Sequence, residues 1–272
     1  MAGAVCYFSP VLPFDRVLSM ALFATEALVL RGHKLGETSR IVVLLTRERG
    51  KLRAVARGAR GSRPRYRSAL EPLSEVRVSL YGRQGADLLR LGEAELLRSA
   101  FRARERGLDT VLFLSSCAEL LDAFCPEGEA EDRVYRLALA VVHAAEAGTN
   151  PALLGRYLEA WLLRLHGPYP PLDRCASCSK PLASGAALCY HRSAQGFVCA
   201  ECGPASGPVL PVEAHALLQL VFSKPPEALV GGDGAAAVQA LEAFHRDLIG
   251  AHLERDLRAP RVIREVGRGS AR

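Results

Sequence analysis

Four cysteines carry the clearest chemistry in this 272-residue sequence. Cys175-x2-Cys178 and Cys199-x2-Cys202 are separated by 20 residues, and each pair suits a tight turn that presents two thiolates to one ion. The stretch RCASCSKPLASGAALCYHRSAQGFVCAEC therefore predicts one structural zinc ion per chain, held tetrahedrally with no position open for catalysis. Arg174, Lys180 and Arg192 would offset the double negative charge of zinc bound by four thiolates. Cys189 and His191 fall in the intervening loop and are competing ligands. A redox pair would be single and adjoin a strand–helix unit, and disulfides are foreign to a chain that reads as cytoplasmic. A degenerate, metal-free site is the remaining alternative. Cys6, Cys117 and Cys125 read as free thiols.

The second signal is charge. GKLRAVARGARGSRPRYRSAL, residues 50–70, holds seven Lys and Arg and no acid. The chain carries +6, but residues 20–100 hold 16 basic against 8 acidic residues while the remainder holds 19 against 21. Only four of the 35 basic residues are lysine, which a GC-rich genome would also produce, yet codon usage does not explain where the charge lies. A local positive field concentrates a polyanion whatever the mean charge. Period-two alternation turns Leu52, Ala54 and Ala56 toward a core and Lys51, Arg53 and Arg57 outward. The Gly, Ser and Pro that follow mark a loop carrying Arg60, Arg63, Arg65, Arg67 and Tyr66. With Lys34 and Arg40, these ten residues are the candidate contacts for a nucleic-acid strand; a solvated surface without a ligand is the bland alternative. The barrel region offers few aromatics, Phe23, Tyr66 and Tyr81, so binding should be led by phosphates and steeply salt-dependent.

These residues need elements to hold them. Residues 22–97 read as five short strands with turns between. From about residue 105 the period becomes helical, in LDTVLFLSSCAELLDAF, EDRVYRLALAVVHAAEAG, NPALLGRYLEAWLLRLHG, PVEAHALLQLVFS and DGAAAVQALEAFHRDLIGAHLERDL. Asn150 is an N-cap, Pro151 suits the first turn, and Leu154, Leu158, Trp161, Leu162 and Leu165 form the buried stripe. The expected fold class is α+β: an N-terminal five-stranded OB-fold barrel, then an α-helical domain with an inserted four-cysteine zinc module. The expected boundaries are 1–19 extension ahead of an alternative start at Met20, 20–100 barrel, 101–168 helical, 169–205 zinc module, 206–260 helical and 261–272 tail.

Several classes are disfavoured. Gly50-Lys51 is followed by Leu52 rather than Ser or Thr, and neither H-E-x-x-H nor G-x-S-x-G occurs. His33, His143, His166, His215, His245 and His252 form no recognisable motif, so no enzyme activity is expected. The apolar N-terminus lacks a basic n-region and is interrupted by Asp15, Arg16 and Glu26, so it does not read as a signal peptide. No apolar run approaches the ~20 residues of a membrane span.

The order of barrel, helices and four-cysteine insertion resembles the bacterial DNA-repair and recombination mediators of the RecO family. The likeness spans about residues 20–255 and is most specific from Gly36-Glu37-Thr38-Ser39, through Leu45-Thr46-x3-Gly50-Lys51, to Arg60. It implies binding of single-stranded and duplex DNA, annealing of complementary strands, and work with RecR and the C-terminal tail of the single-strand-binding protein SSB, with RecA loading as the indirect result, in the cytoplasm at the nucleoid. Residues 1–19 depart from the family's usual start. Two rival classes remain at this stage: a zinc-ribbon transcription or RNA-binding factor, separable by RNA preference, and a metal-dependent nuclease, separable by Mg²⁺-dependent cleavage.

Overall fold

Apolar residues alternating with polar ones build the first part of the chain, and the strands they form close on one another. The computed structural model describes residues 21–60, 66–83, 85–203, 207–229 and 234–253. Strands β1 (Ala21–Leu35), β2 (Ser39–Thr46), β3 (Gly50–Ala56), β4 (Glu75–Gly82) and β5 (Leu89–Arg98) form a closed barrel in the order β1-β2-β3-β5-β4. Neighbours are antiparallel except β3 and β5, which run parallel. Ala27, Val29, Val42, Leu44, Ala54, Ala56, Val76, Val78, Leu80, Leu89 and Leu91 fill its interior. The small side chains of β3 thus lie where the alternation puts them.

The outer face of β1 and β2 is apolar as well. Leu28, with Val43 and Leu45 of β2, points outward by alternation and, with Leu30 at a bulge between Val29 and Arg31 that bends β1, joins the core of the helical domain. That domain comprises α1 (Phe101–Arg104), α2 (Leu108–Phe124), α3 (Asp132–Ala147), α4 (Pro151–Leu165), α5 (Val212–Ser223) and α6 (Ala235–Leu253). The Asn150 side chain accepts the Ala152 N–H at 2.9 Å and starts α4, which packs on α2, α3, α5 and α6. Leu154, Leu158 and Leu162 are buried as the stripe requires, whereas Trp161 and Leu165 are half-buried. Trp161 instead donates its indole N–H to the Val221 carbonyl at 3.0 Å.

The helical core also absorbs one of the scattered histidines. His245 is fully buried between Glu159 and the Tyr169 hydroxyl, at 3.1 Å from each. Burial alone would push the Glu159 carboxyl up; Arg156, and then the contact with His245, outweigh it and leave the carboxyl below its ordinary value. Burial pulls His245 down, against the pull of Glu159.

Barrel and helices meet along β3. The Gly128 N–H donates to the Lys51 carbonyl at 3.0 Å, and Lys51 forms a parallel bridge with Glu127. Gly50 (φ +66°) lies so close to this segment that a Cβ would stand 1.8 Å from the Glu129 carbonyl oxygen. Gly50→Ala is therefore expected to destabilise the protein by more than the roughly 1–3 kcal/mol of left-handed strain alone, because the 127–129 segment must also move off β3. Thermal denaturation of the variant checks this; an unchanged midpoint would refute the close approach.

Candidate metal centre and nucleic-acid interface

Beyond α4, the chain forms the hairpin β6 (Leu188–His191) and β7 (Gly196–Val198), with β8 (Val209–Leu210) pairing β6 on its other side. Phe197 is buried against Phe244 of α6, with ring centroids 5.5 Å apart, and so anchors the hairpin in the helical core. Cys199 follows β7 directly. The Ala176 N–H donates to the Phe197 carbonyl at 2.8 Å and lays the first cysteine turn against the second. That first turn is closed by the Ser179 N–H donating to the Cys175 carbonyl at 2.9 Å, with Ser179 left-handed at φ +61°.

Cys175, Cys178, Cys199 and Cys202 bring their four Sγ atoms within 4.8 Å of one another. The Cys178 and Cys199 sulfurs are 3.7 Å apart, close to the ~3.8 Å edge of a tetrahedron with Zn–S bonds of about 2.3 Å. The Cys199 N–H donates to the Cys175 Sγ at 3.3 Å and pulls that thiol down to about 6. Contacts with the neighbouring sulfurs, Cys178 first, push Cys202 up to about 12. Four thiols so crowded cannot all ionise alone, and a divalent cation removes the conflict. The donor set is thus that of a closed metal site. Cys189 pairs with Val198 in the hairpin and His191 Nδ1 lies 3.1 Å from the Ser193 hydroxyl, so neither belongs to the cluster. Lys180 of the first turn pairs with Glu201 of the second, which raises its ammonium; the cluster sulfurs add to the rise. Arg174 and Arg192 pair instead with Asp173 and Asp247, at 3.6 and 3.5 Å.

The barrel divides the expected cationic residues into two groups. Lys34 and Arg40 face each other across the β1–β2 hairpin, whose residues 31–38 are all exposed. Arg60 ties the chain beyond β3 to this hairpin: its N–H donates to the Thr38 carbonyl at 2.9 Å and its guanidinium to the Gly36 carbonyl at 3.2 Å. Arg57 is exposed just after β3. These four charges therefore gather at one end of the barrel, and no acid pairs with them among the described residues.

The other group is already occupied. Lys51 is a correction to the sequence reading. It does lie on the outer face of β3, but that face is covered by the helical domain, where its ammonium donates to the Asp122 carbonyl and lies 3.3 Å from the Asp122 carboxylate. Arg53 is exposed but paired with Glu127. Tyr66 is a second correction: it is buried at the base of the barrel, with its hydroxyl donating to the Leu91 carbonyl at 3.0 Å, and offers no stacking surface. Arg67 opens a short 3-10 helix, Arg67–Leu70. Arg63 and Arg65 lie outside the described residues, as do the 1–19 extension and the 261–272 tail.

Strand order brings together residues that the linear sequence leaves apart. The pairs His33–Ile41, Ile41–Val55, Val55–Arg90 and Arg90–Tyr81 are all in register, and partners in register share one face of a sheet. They form one row across the five strands. His33 and Arg90 are exposed, while Ile41, Val55 and Tyr81 are half-buried. In barrels of this topology the face of the second and third strands is a common oligonucleotide site.

The comparisons with known proteins agree along the chain. Residues 20–100 match the model for the Recombination protein O N terminal domain and residues 106–261 that for the Recombination protein O C terminal domain. The chain belongs to the RecO family. It is 35% identical to a "DNA repair protein RecO" of Koribacter versatilis (strain Ellin345) over 234 residues, covering 86% of this chain and 94% of that protein. It is 36% identical to a protein of the same name from Anaeromyxobacter sp. (strain K) over 247 residues, covering 88% and 94%. This RecO-family chain has no helix, among its described residues, long and apolar enough to cross a membrane.

Proposed function

We propose that this chain is a non-enzymatic recombination mediator that binds single-stranded and duplex DNA on its barrel and anneals complementary strands. The carrying observation is the set Lys34, Arg40, Arg57 and Arg60 at one end of the barrel, which no acid pairs among the described residues, one register position from the row across β1, β2, β3, β5 and β4. Phosphates bind there by charge, so two strands that repel each other are held close. Tyr81 is the aromatic of that row, and few rings compete with base pairing. The four-cysteine site holds zinc in a structural role: it joins the turn ahead of the hairpin to the turn that follows it, next to Phe197, an anchor of the helical core. RecR, the SSB tail and, through them, RecA loading are the partners that family membership supports, at the bacterial nucleoid in the cytoplasm.

Annealing of fluorescently labelled complementary strands tests this reading. It is expected to proceed without ATP and to slow steeply as salt rises. Strands coated with SSB separate a mediator from a plain polycation: annealing should fall when SSB lacks its C-terminal tail. Equal rates with tailless SSB would remove the partner role and leave only the electrostatic part.

A further inference from the structure

The segment Cys125–Asp132 carries Glu127, Glu129, Glu131 and Asp132 within six residues and runs alongside the inner half of β3. Its backbone is fixed there by the Lys51–Glu127 bridge and the Gly128 N–H. The Glu127 backbone is thus held beside β3, where its carboxylate pairs with Arg53. Asp122 adds a second acid, binding Arg31 at 2.8 Å and Lys51 at 3.3 Å. The two pairings differ in kind. Lys51 and Asp122 are both about 11% exposed, a fixed part of the domain interface, whereas Arg53 and Glu127 are 48% and 44% exposed and stand in water at the edge of the free row.

We infer that Glu127 sets the inner limit of the nucleic-acid path, by neutralising Arg53 and repelling phosphate from it, so that DNA is held only from Val55 outward to Arg57, Arg90 and the hairpin end. This rests on the DNA-binding reading above and adds a boundary to it. Arg53 is a latent phosphate contact: its guanidinium is on the same face as Val55 and Arg57, and what it lacks is an unoccupied charge. A carboxylate held beside a cation removes most of that cation's attraction for a third ion at similar distance.

The test is a cycle of Glu127→Gln, Arg53→Gln and the double variant, with oligo(dT) binding followed by fluorescence anisotropy over a series of salt concentrations. Glu127→Gln keeps the side-chain shape and Arg53→Gln shortens it, both at half-exposed positions, and thermal melting of each variant checks that the interface is intact. Glu127→Gln is expected to tighten binding about 5-fold at low salt and to steepen the log–log salt slope by about 0.7, the value of one single-strand phosphate contact. Arg53→Gln alone should leave the slope as it was, and the double variant should lose the gain. The inference is overturned if Glu127→Gln binds as the parent does, if its gain persists without Arg53, or if Arg53→Gln alone flattens the slope. Failure of the parent chain to bind at all would instead overturn the DNA reading itself.

Discussion

Reversing Lys34, Arg40, Arg57 and Arg60 to glutamate is expected to weaken DNA binding by on the order of 100-fold or more at low salt. The same change should flatten the log–log salt dependence by about 0.7 per lost contact on single strands and about 0.9 on duplex. These four residues carry charge that no acid of the described chain neutralises, and they are exposed or half-exposed, so the substitutions spare both cores. The sharper comparison is with Lys51. Its removal leaves Asp122 partly buried with one fewer counter-charge, so Lys51→Gln should lower the melting temperature while leaving the salt slope unchanged. A flattened slope for Lys51→Gln, or an unchanged slope for the fourfold reversal, would mean that DNA lies elsewhere.

Loss of the metal is expected to have the largest effect on stability. Zinc binding coupled to folding is worth roughly 10–16 kcal/mol in finger peptides, and here the site flanks a hairpin whose Phe197 packs on Phe244 in the helical core. Protein prepared without chelator should contain about one zinc per chain. Cys175→Ser should lose it and unfold the module; Cys202→Ser should lose it with less disturbance, because Cys175 is buried and accepts the Cys199 N–H whereas Cys202 is half-exposed. The barrel has an interior core of its own, so DNA binding and its salt slope should outlast the metal. Metal analysis with calorimetry decides this: absence of zinc, or a Cys175→Ser melting curve like the parent's, would sink the proposal.

Local chemistry and short periods were legible in the amino-acid order alone. The two C-x2-C turns needed only their spacing, since each turn is local and the hairpin between them is short. Five strands and the inward set Leu52, Ala54 and Ala56 followed from periods of two and 3.6 residues, which report the faces of an element, and the start of α4 from the residue type of Asn150. A face is not yet a surface, and here tertiary structure decided the matter. Lys51 and Arg57 alternate alike along β3, yet α2 and the segment after it cover one and leave the other in water. Tyr66, beside three arginines in sequence, turns inward because the barrel base supplies an apolar pocket and the Leu91 carbonyl for its hydroxyl. Arg90 and Tyr81 joined the candidate row only because β5 lies beside β3 and β4 in space, a pairing between segments more than 30 residues apart that no local period encodes. The acids Asp122 and Glu127, which divide the cationic strand into an occupied and a free half, belong to another domain. Their effect depends on distance through space, which the order of residues determines only by folding.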